Sequence, residues 1–248
     1  MNADIVAEPY ASTVTATLRR KLPARYDQPY RTTFDEHVRS ALRPGLRILD
    51  VGAGRHPTVP PAARPPGCSY VGLDVSGAEL DAAGPDAYDE TIVRDIAEPV
   101  PSLADRFDLI LSWQVLEHVR PLDLAFDNLR SYLRPEGRLV AQFSGGLSAF
   151  AVANRLLPRR SSMWVLTHLV GKQPSQVFPA FYDHCRYGAL EKMLAPWRRH
   201  EVIPLYVGAV PYFEFSRFVR AAYVAYEEWT FRRDLRNLAS YYVVDATR

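Results

Sequence analysis

The sequence predicts an α/β domain built on a mostly parallel sheet with crossover helices, and three observations carry that prediction. Short apolar strands alternate with helical segments from about residue 34 to residue 143, the order a parallel sheet requires. The strands are rich in Val, Ile and Leu, as expected where both faces are covered. Glycines and acidic residues stand where strands end, the edge at which open α/β sheets bind ligands.

The strands read in order as "LRILDVG", "SYVGLDVS", "ETIVRDI", "FDLILSW" and "GRLVAQFS". Between the last two, "PLDLAFDNLRSYLRPEG" places Leu122, Leu124, Leu129 and Leu133 at roughly helical spacing and stops at Pro135-Gly137, which predicts a crossover helix. After Phe143 comes a stretch too long for an ordinary connection, read as a substrate-side insertion. A helix "ALEKMLAPW", a strand near "HEVIPLYVG", a second helical insertion from "PYFEFSRF" to "RRDLRN" and a last strand "SYYVVDAT" complete the chain.

The chain has 248 residues, 48% of them hydrophobic, enough for one core with insertions. A net charge of +2, with basic pairs dispersed along the chain, disfavours nucleic acid as the main partner. The 2 cysteines, Cys68 and Cys185, are far apart, so neither a disulfide framework nor a thiolate zinc site is indicated and a reducing cytoplasm fits. The N-terminus lacks a secretion-signal pattern, and no apolar run is long enough to span a bilayer.

The first strand and its turn, "ILDVGAGRHP", put Asp50 at the strand end and Gly52 and Gly54 where the backbone must approach a ligand. Asp74 closes the second strand, placed to hold the two hydroxyls of a ribose. A dinucleotide-binding turn would share these features, but Pro57 stands where the third glycine of GxGxxG belongs. Asp95 and Ile96 close the third strand, presenting a carboxylate to an adenine amino group and an apolar side chain to its ring.

With these elements in order, the sequence resembles the class I S-adenosylmethionine-dependent methyltransferases, especially the ubiquinone-biosynthesis-like group. The matching stretches are "LDVGAG", "GLDVS", "RDI", "FDLILSWQVLEHV" and "LRPEGRLV", over about residues 45 to 143. The resemblance implies a Rossmann-like, seven-stranded sheet with a reversed final hairpin and helices on both faces. It also implies cofactor contacts from Gly52, Gly54, Asp74, Asp95, Ile96 and the backbone around Ser112 and Trp113; Asp50 is counted with them. Arg31, by position alone, is expected near the cofactor carboxylate under an N-terminal lid that includes Tyr26 and Tyr30.

Gln114, Glu117 and His118 follow the fourth strand at i, i+3 and i+4, so on a helix they would share one face beside the reacting methyl. With Asp183 and His184 farther on, the arrangement resembles the small-RNA 2′-O-methyltransferases. On that comparison Gln114, Glu117, His118 and His184 match positions that hold a divalent ion, Mg2+ or Mn2+, against a vicinal diol. Gln114 departs from the pattern, since an amide replaces the first glutamate. The metal-free alternative makes His118, with Glu117, the general base.

The resulting expectation is an O-methyltransferase of a sugar, oligosaccharide or glycosylated metabolite, assisted by a divalent ion. The first alternative is a metal-free methyltransferase of a quinone, polyketide or lipid-like molecule; the second, of another class, is a non-catalytic S-adenosylmethionine-binding partner protein. Aromatics at Phe178, Phe181, Tyr182, Tyr212, Phe213 and Phe215 and arginines at Arg155, Arg159 and Arg160 are candidates to line a small-molecule or glycan acceptor pocket. The single domain divides into an N-terminal helical lid over 1–37, a cofactor-binding core over 38–144, the substrate-side insertion over 145–187 and a C-terminal part over 188–248. The apolar helix "FVRAAYVAYEEWTF" suggests a core or homodimer face.

Overall fold

In the computed structural model the described residues are 22–156, 179–208 and 216–248. Seven strands form one sheet in the order β3-β2-β1-β4-β5-β7-β6. They are β1 (Arg47–Val51), β2 (Ser69–Asp74), β3 (Glu90–Val93), β4 (Phe107–Trp113), β5 (Leu133–Ser144), β6 (Arg199–Leu205) and β7 (Tyr241–Thr247). Only β7 runs against its neighbours, so β6 points the same way as β1 to β5, and the reversed final hairpin is present. This is the Rossmann-like α/β fold of the expectation. Phe178, Tyr212, Phe213, Phe215, Arg159 and Arg160 lie outside the described residues, as do the first 21 positions of the lid.

Both faces of the sheet are covered. On one, α1 (Thr32–Ala41) buries Phe34, Val38 and Ala41 against Ile48, Leu109, Leu111, Val140 and Val243. On the other, α3 (Leu122–Tyr132) inserts Leu122, Ala125, Phe126 and Leu129 beside Leu190 and Leu194 of α5 (Tyr187–Leu194). Each of these fully buried large side chains contributes about 1.5–3 kcal/mol of apolar transfer free energy. A short α2 (Gly77–Asp81) follows β2, its Ser76 cap accepting from the Glu79 N–H. Helices α4 (Ala149–Leu156) and α6 (Arg217–Arg232) belong to the two insertions.

Two boundaries differ from the sequence reading. The stretch "LRPEG", read as the end of the crossover helix, is counted in β5: Phe107 pairs with Leu133 and Leu109 with Arg138, so the intervening residues loop out of the ladder, with Glu136 at φ 65°. The expected helix through Gln114 and His118 is a 3-10 turn, Leu116–His118. Gln114 sits at φ 57°, a left-handed conformation that cannot start an α-helix.

α3 starts after Pro121, which offers no capping oxygen from its side chain. Its first N–H, on Leu122, instead donates to Asp183 Oδ2 at 3.0 Å, satisfying one of the orphan donors of the first turn. Asp183 therefore ties the segment before α5 to the helix after β4. Among the described residues no helix is long and apolar enough to cross a membrane.

Candidate functional site

The strand ends of β1, β2 and β4 converge where the acidic and glycine residues were expected. Gly52, at φ 70°, donates its N–H to the Leu73 carbonyl at 2.7 Å. A Cβ there would come within 2.2 Å of Val115 Cγ2, so this glycine makes room for the residue that leads into the 3-10 turn. Gly54, at φ 51°, donates to Asp74 Oδ2 at 3.0 Å, and Ser76 N–H donates to Asp74 Oδ1 at 2.9 Å. Each oxygen of Asp74 thus holds one backbone bond and keeps acceptor capacity for a second donor, which suits a pair of vicinal hydroxyls. Outside the turn, Arg55 grips both oxygens of Glu79 at 2.6 and 2.7 Å.

Asp50 is placed otherwise than expected. Its side chain is 0% exposed and accepts from Thr58 N–H at 2.6 Å, Thr58 Oγ1 at 2.7 Å and Tyr70 OH at 2.7 Å. Burial pushes its carboxyl up, opposed by the hydrogen bonds from Thr58 and Tyr70. It knits the loop after β1 to β2, and its oxygens are engaged by protein donors.

Ile96 is likewise in the core and not on the surface. The chain leaves β3 at Val93, turns, and packs Ile96 with Ala97 and Leu103, while Asn128 donates to its carbonyl at 2.8 Å. Asp95 stays exposed and accepts from Ala97 N–H at 2.9 Å. The exposed apolar groups are Val75, next to Asp74, and Val93, at the end of β3. Sequence reading missed both; a valine directly after a strand-end acid was the available signal.

At the end of β4, Ser112 is buried with no partner for Oγ, and Trp113 lies under the N-terminal segment. Tyr30 stacks on Trp113 with centroids 6.2 Å apart, and the Arg31 guanidinium lies 4.5 Å from the Trp113 ring. Arg31 also donates to Asp35 at 2.9 Å and to the Thr58 carbonyl at 3.1 Å. The 3-10 turn faces this corner. Glu117, 3% exposed, accepts at Oε1 from Ser144 Oγ at 3.0 Å, and Oε2 has no hydrogen-bond partner. Gln114 Oε1 accepts from the same Ser144 hydroxyl at 3.2 Å, and its Nε2 is also unpaired. His118 Nδ1 lies 3.0 Å from the Pro179 carbonyl; a carbonyl only accepts, so Nδ1 carries the hydrogen and the neutral ring keeps its lone pair on Nε2.

The metal arrangement is not assembled. His184 is at φ 54° with 53% of its side chain exposed, and among the described residues its nearest carboxylate is Asp183, 3.8 Å away. Among the described residues no three of His, Cys, Asp or Glu form a group able to hold a metal ion. The reason is local: in a 3-10 turn Glu117 rotates inward onto Ser144 while His118 turns to Pro179, so the shared helical face does not exist. The two segments do meet, through backbone: Phe181 and Tyr182 N–H groups both donate to the Glu117 carbonyl at 3.0 Å. Arg155, a candidate anion binder, donates to the Gly146 carbonyl and lies 5.8 Å from the Tyr182 ring.

The strand order, the glycine turn and the acids at the ends of β2 and β3 define the class I S-adenosylmethionine-dependent methyltransferase architecture. The chain belongs to the methyltransferase-domain family, whose model matches residues 18–180. A ubiquinone biosynthesis O-methyltransferase of Chelativorans sp. is 38% identical over 117 residues, covering 46% of this chain and 42% of that protein. The protein of the same name from Nitrobacter winogradskyi is 32% identical over 148 residues, covering 53% and 54%. The chain spans about half the length of the curated relatives it matches. Phosphoethanolamine N-methyltransferase 2 of Haemonchus contortus, solved with phosphomonomethylethanolamine and S-adenosylhomocysteine, superposes with a TM-score of 0.54 at 16% identity, over 88% of this chain and 52% of that one. That likeness concerns the fold alone.

Proposed function

We propose that the protein transfers a methyl group from S-adenosylmethionine to a hydroxyl oxygen of a quinol-type or other phenolic small molecule, without a metal ion. The observation that carries this reading is the corner at the end of β4, where Gln114, Glu117 and His118 offer polar groups that, among the described residues, form no group able to hold a cation. A sugar hydroxyl needs strong activation, and the ion that would have supplied it was the main support for the carbohydrate expectation. A phenolic hydroxyl, with an ordinary pKa near 10, needs only one placed base. The O-methyltransferase relatives agree with this choice of nucleophile.

The residues fit the cofactor. Asp74 has acceptor capacity for two ribose hydroxyls, Gly54 allows close approach of the backbone, and Val75 offers an apolar surface to a purine. When bound, S-adenosylmethionine supplies an electrophilic methyl carbon. The protein holds the acceptor in line with it and keeps water out. His118 Nε2 is the base for the acceptor hydroxyl, its ring orientation set by the Pro179 carbonyl. Trp113, roofed by Tyr30 and Arg31, closes the strand end against solvent.

The test is methyl transfer to a panel of catechols, hydroquinones and sugars, followed by mass spectrometry, with EDTA present. Turnover on phenolic acceptors is expected, with His118→Ala lowering kcat by about 100-fold or more while leaving S-adenosylhomocysteine affinity in place. Turnover confined to sugars, or abolished by EDTA, would overturn the proposal. Binding of S-adenosylhomocysteine without turnover on any acceptor would point instead to a non-catalytic binding protein.

A further inference from the structure

We propose that Glu227 is a positioning residue that latches the N-terminal segment Leu22–Arg31 across the carboxyl edge of the sheet. Glu227 lies on α6 and is only 1% exposed. Its Oε1 accepts from Gly208 N–H at 2.8 Å and from the Ser240 hydroxyl; its Oε2 accepts from the Tyr26 hydroxyl. A carboxylate is tolerated in such a place only when donors surround it. Here they come from three separate stretches: the segment after β6, the residue before β7, and the N-terminal segment.

Because β6 is parallel to β5 and β7 opposes both, the end of β6 and the start of β7 lie at the same edge as the ends of β1, β2 and β4. The N-terminal segment joins the two halves of that edge. At one end Arg31 lies over Trp113, and Tyr30 stacks between Trp113 and Tyr241, whose centroid is 5.1 Å away. At the other, Arg25 donates to the Tyr206 carbonyl at 2.9 Å and to Glu228 at 2.5 Å, next to the Tyr26–Glu227 bond. The 3-10 turn Ala24–Tyr26 buries no residue of its own. Hydrogen bonds to α6 hold this end, with the Arg25 guanidinium 5.0 Å from the Phe231 ring of the same helix. A residue of the second insertion, on the far side of the edge from Asp74, thus sets whether the roof over Trp113 is in place.

The effect on the cofactor rests on the function proposed above; the latch itself does not. The experiment compares the full chain with Tyr26→Phe, Glu227→Gln and the double variant, by hydrogen exchange and by calorimetric titration with S-adenosylhomocysteine. Each single variant is expected to speed exchange over residues 24–35 at least tenfold and to weaken S-adenosylhomocysteine about tenfold, which is about 1.4 kcal/mol. The double variant is expected to be no worse than the more affected single one, since both act on the same Tyr26–Glu227 contact. Tyr26→Phe removes one hydroxyl and decides the matter if Glu227→Gln fails to fold. Unchanged exchange in Tyr26→Phe, or additive effects in the double variant, overturns the latch. Faster exchange with unchanged affinity overturns the positioning role. If the wild type does not bind S-adenosylhomocysteine, the proposed function falls and exchange alone decides the latch.

Discussion

Replacing Gly52 by alanine isolates how the cofactor turn and the 3-10 turn depend on each other. Gly52 holds φ 70°, which costs an L-residue roughly 1–2 kcal/mol. The added Cβ would also lie 2.2 Å from Val115 Cγ2, 2.6 Å from Cγ1 and 2.9 Å from Cβ, so Val115 must move. Overpacking of that kind costs about 1–3 kcal/mol. The expected loss is then about 2–5 kcal/mol, a large part of the roughly 5–15 kcal/mol available to a domain. Val115→Ala relieves the two shortest contacts and leaves the third, while by itself it costs about 1 kcal/mol for methyls that are only partly buried. Urea unfolding of Gly52→Ala, Val115→Ala and the double variant measures the coupling. The double variant is expected to be more stable than the sum of the singles predicts by about 1–2 kcal/mol, with the backbone cost remaining. Strict additivity would show that the two turns do not press on each other, and the account of Gly52 given above would fail.

Three further outcomes follow from other contacts. Burial pushes the Asp245 carboxyl up, but Arg138 and His37 outweigh it and hold the group below the usual carboxylate range. Its contribution is therefore complete above the unfolded-state pKa of about 3.9 and is lost as pH falls through the lower folded-state value; Asp245→Asn should flatten the decline of stability in denaturant titrations below about pH 4. Asp183→Ala removes the acceptor of Leu122 N–H and should cost about 0.5–2 kcal/mol, whereas His184→Ala should be near neutral in stability and leave manganese binding, followed by calorimetry, unchanged.

The strands were legible because their signal is dense: "LRILDV" or "FDLILSW" has no other plausible home than a covered sheet. The acids at the ends of β2 and β3 were legible for the same reason, since a polar residue closing an apolar run must face an edge. The readings failed where the backbone departs from the spacing assumed. Gln114, Glu117 and His118 have helical intervals, but the left-handed backbone at Gln114 breaks the helix before it forms. Asp50 has the position of a cofactor ligand, yet Thr58 and Tyr70, distant in sequence or in the next strand, take its oxygens. Glu227 and Glu228 look alike in "AYEEWT", and nothing local says that the first is buried under Tyr26 while the second reaches Arg25.

Why an apolar strand should hand over to three polar residues has an answer in the contacts at its end. β4 pairs with β1 up to Ser112 and with β5 up to Trp113, and Gln114 N–H makes one more bond, 2.7 Å to the Gln142 carbonyl, before its backbone turns away. That turn brings Glu117 back under the strand end, where Ser144 satisfies one oxygen and the other faces no donor. A carboxylate oxygen this buried costs free energy unless a donor comes to it. The unpaired Ser112 hydroxyl belongs to the same strand end, and the Gln114 amide, itself unpaired at Nε2, shares the Ser144 hydroxyl with Glu117. Unmatched polarity so concentrated is a poor way to stabilise a fold, and under the proposed function it is the set of groups that the acceptor's own donors and acceptors would complete.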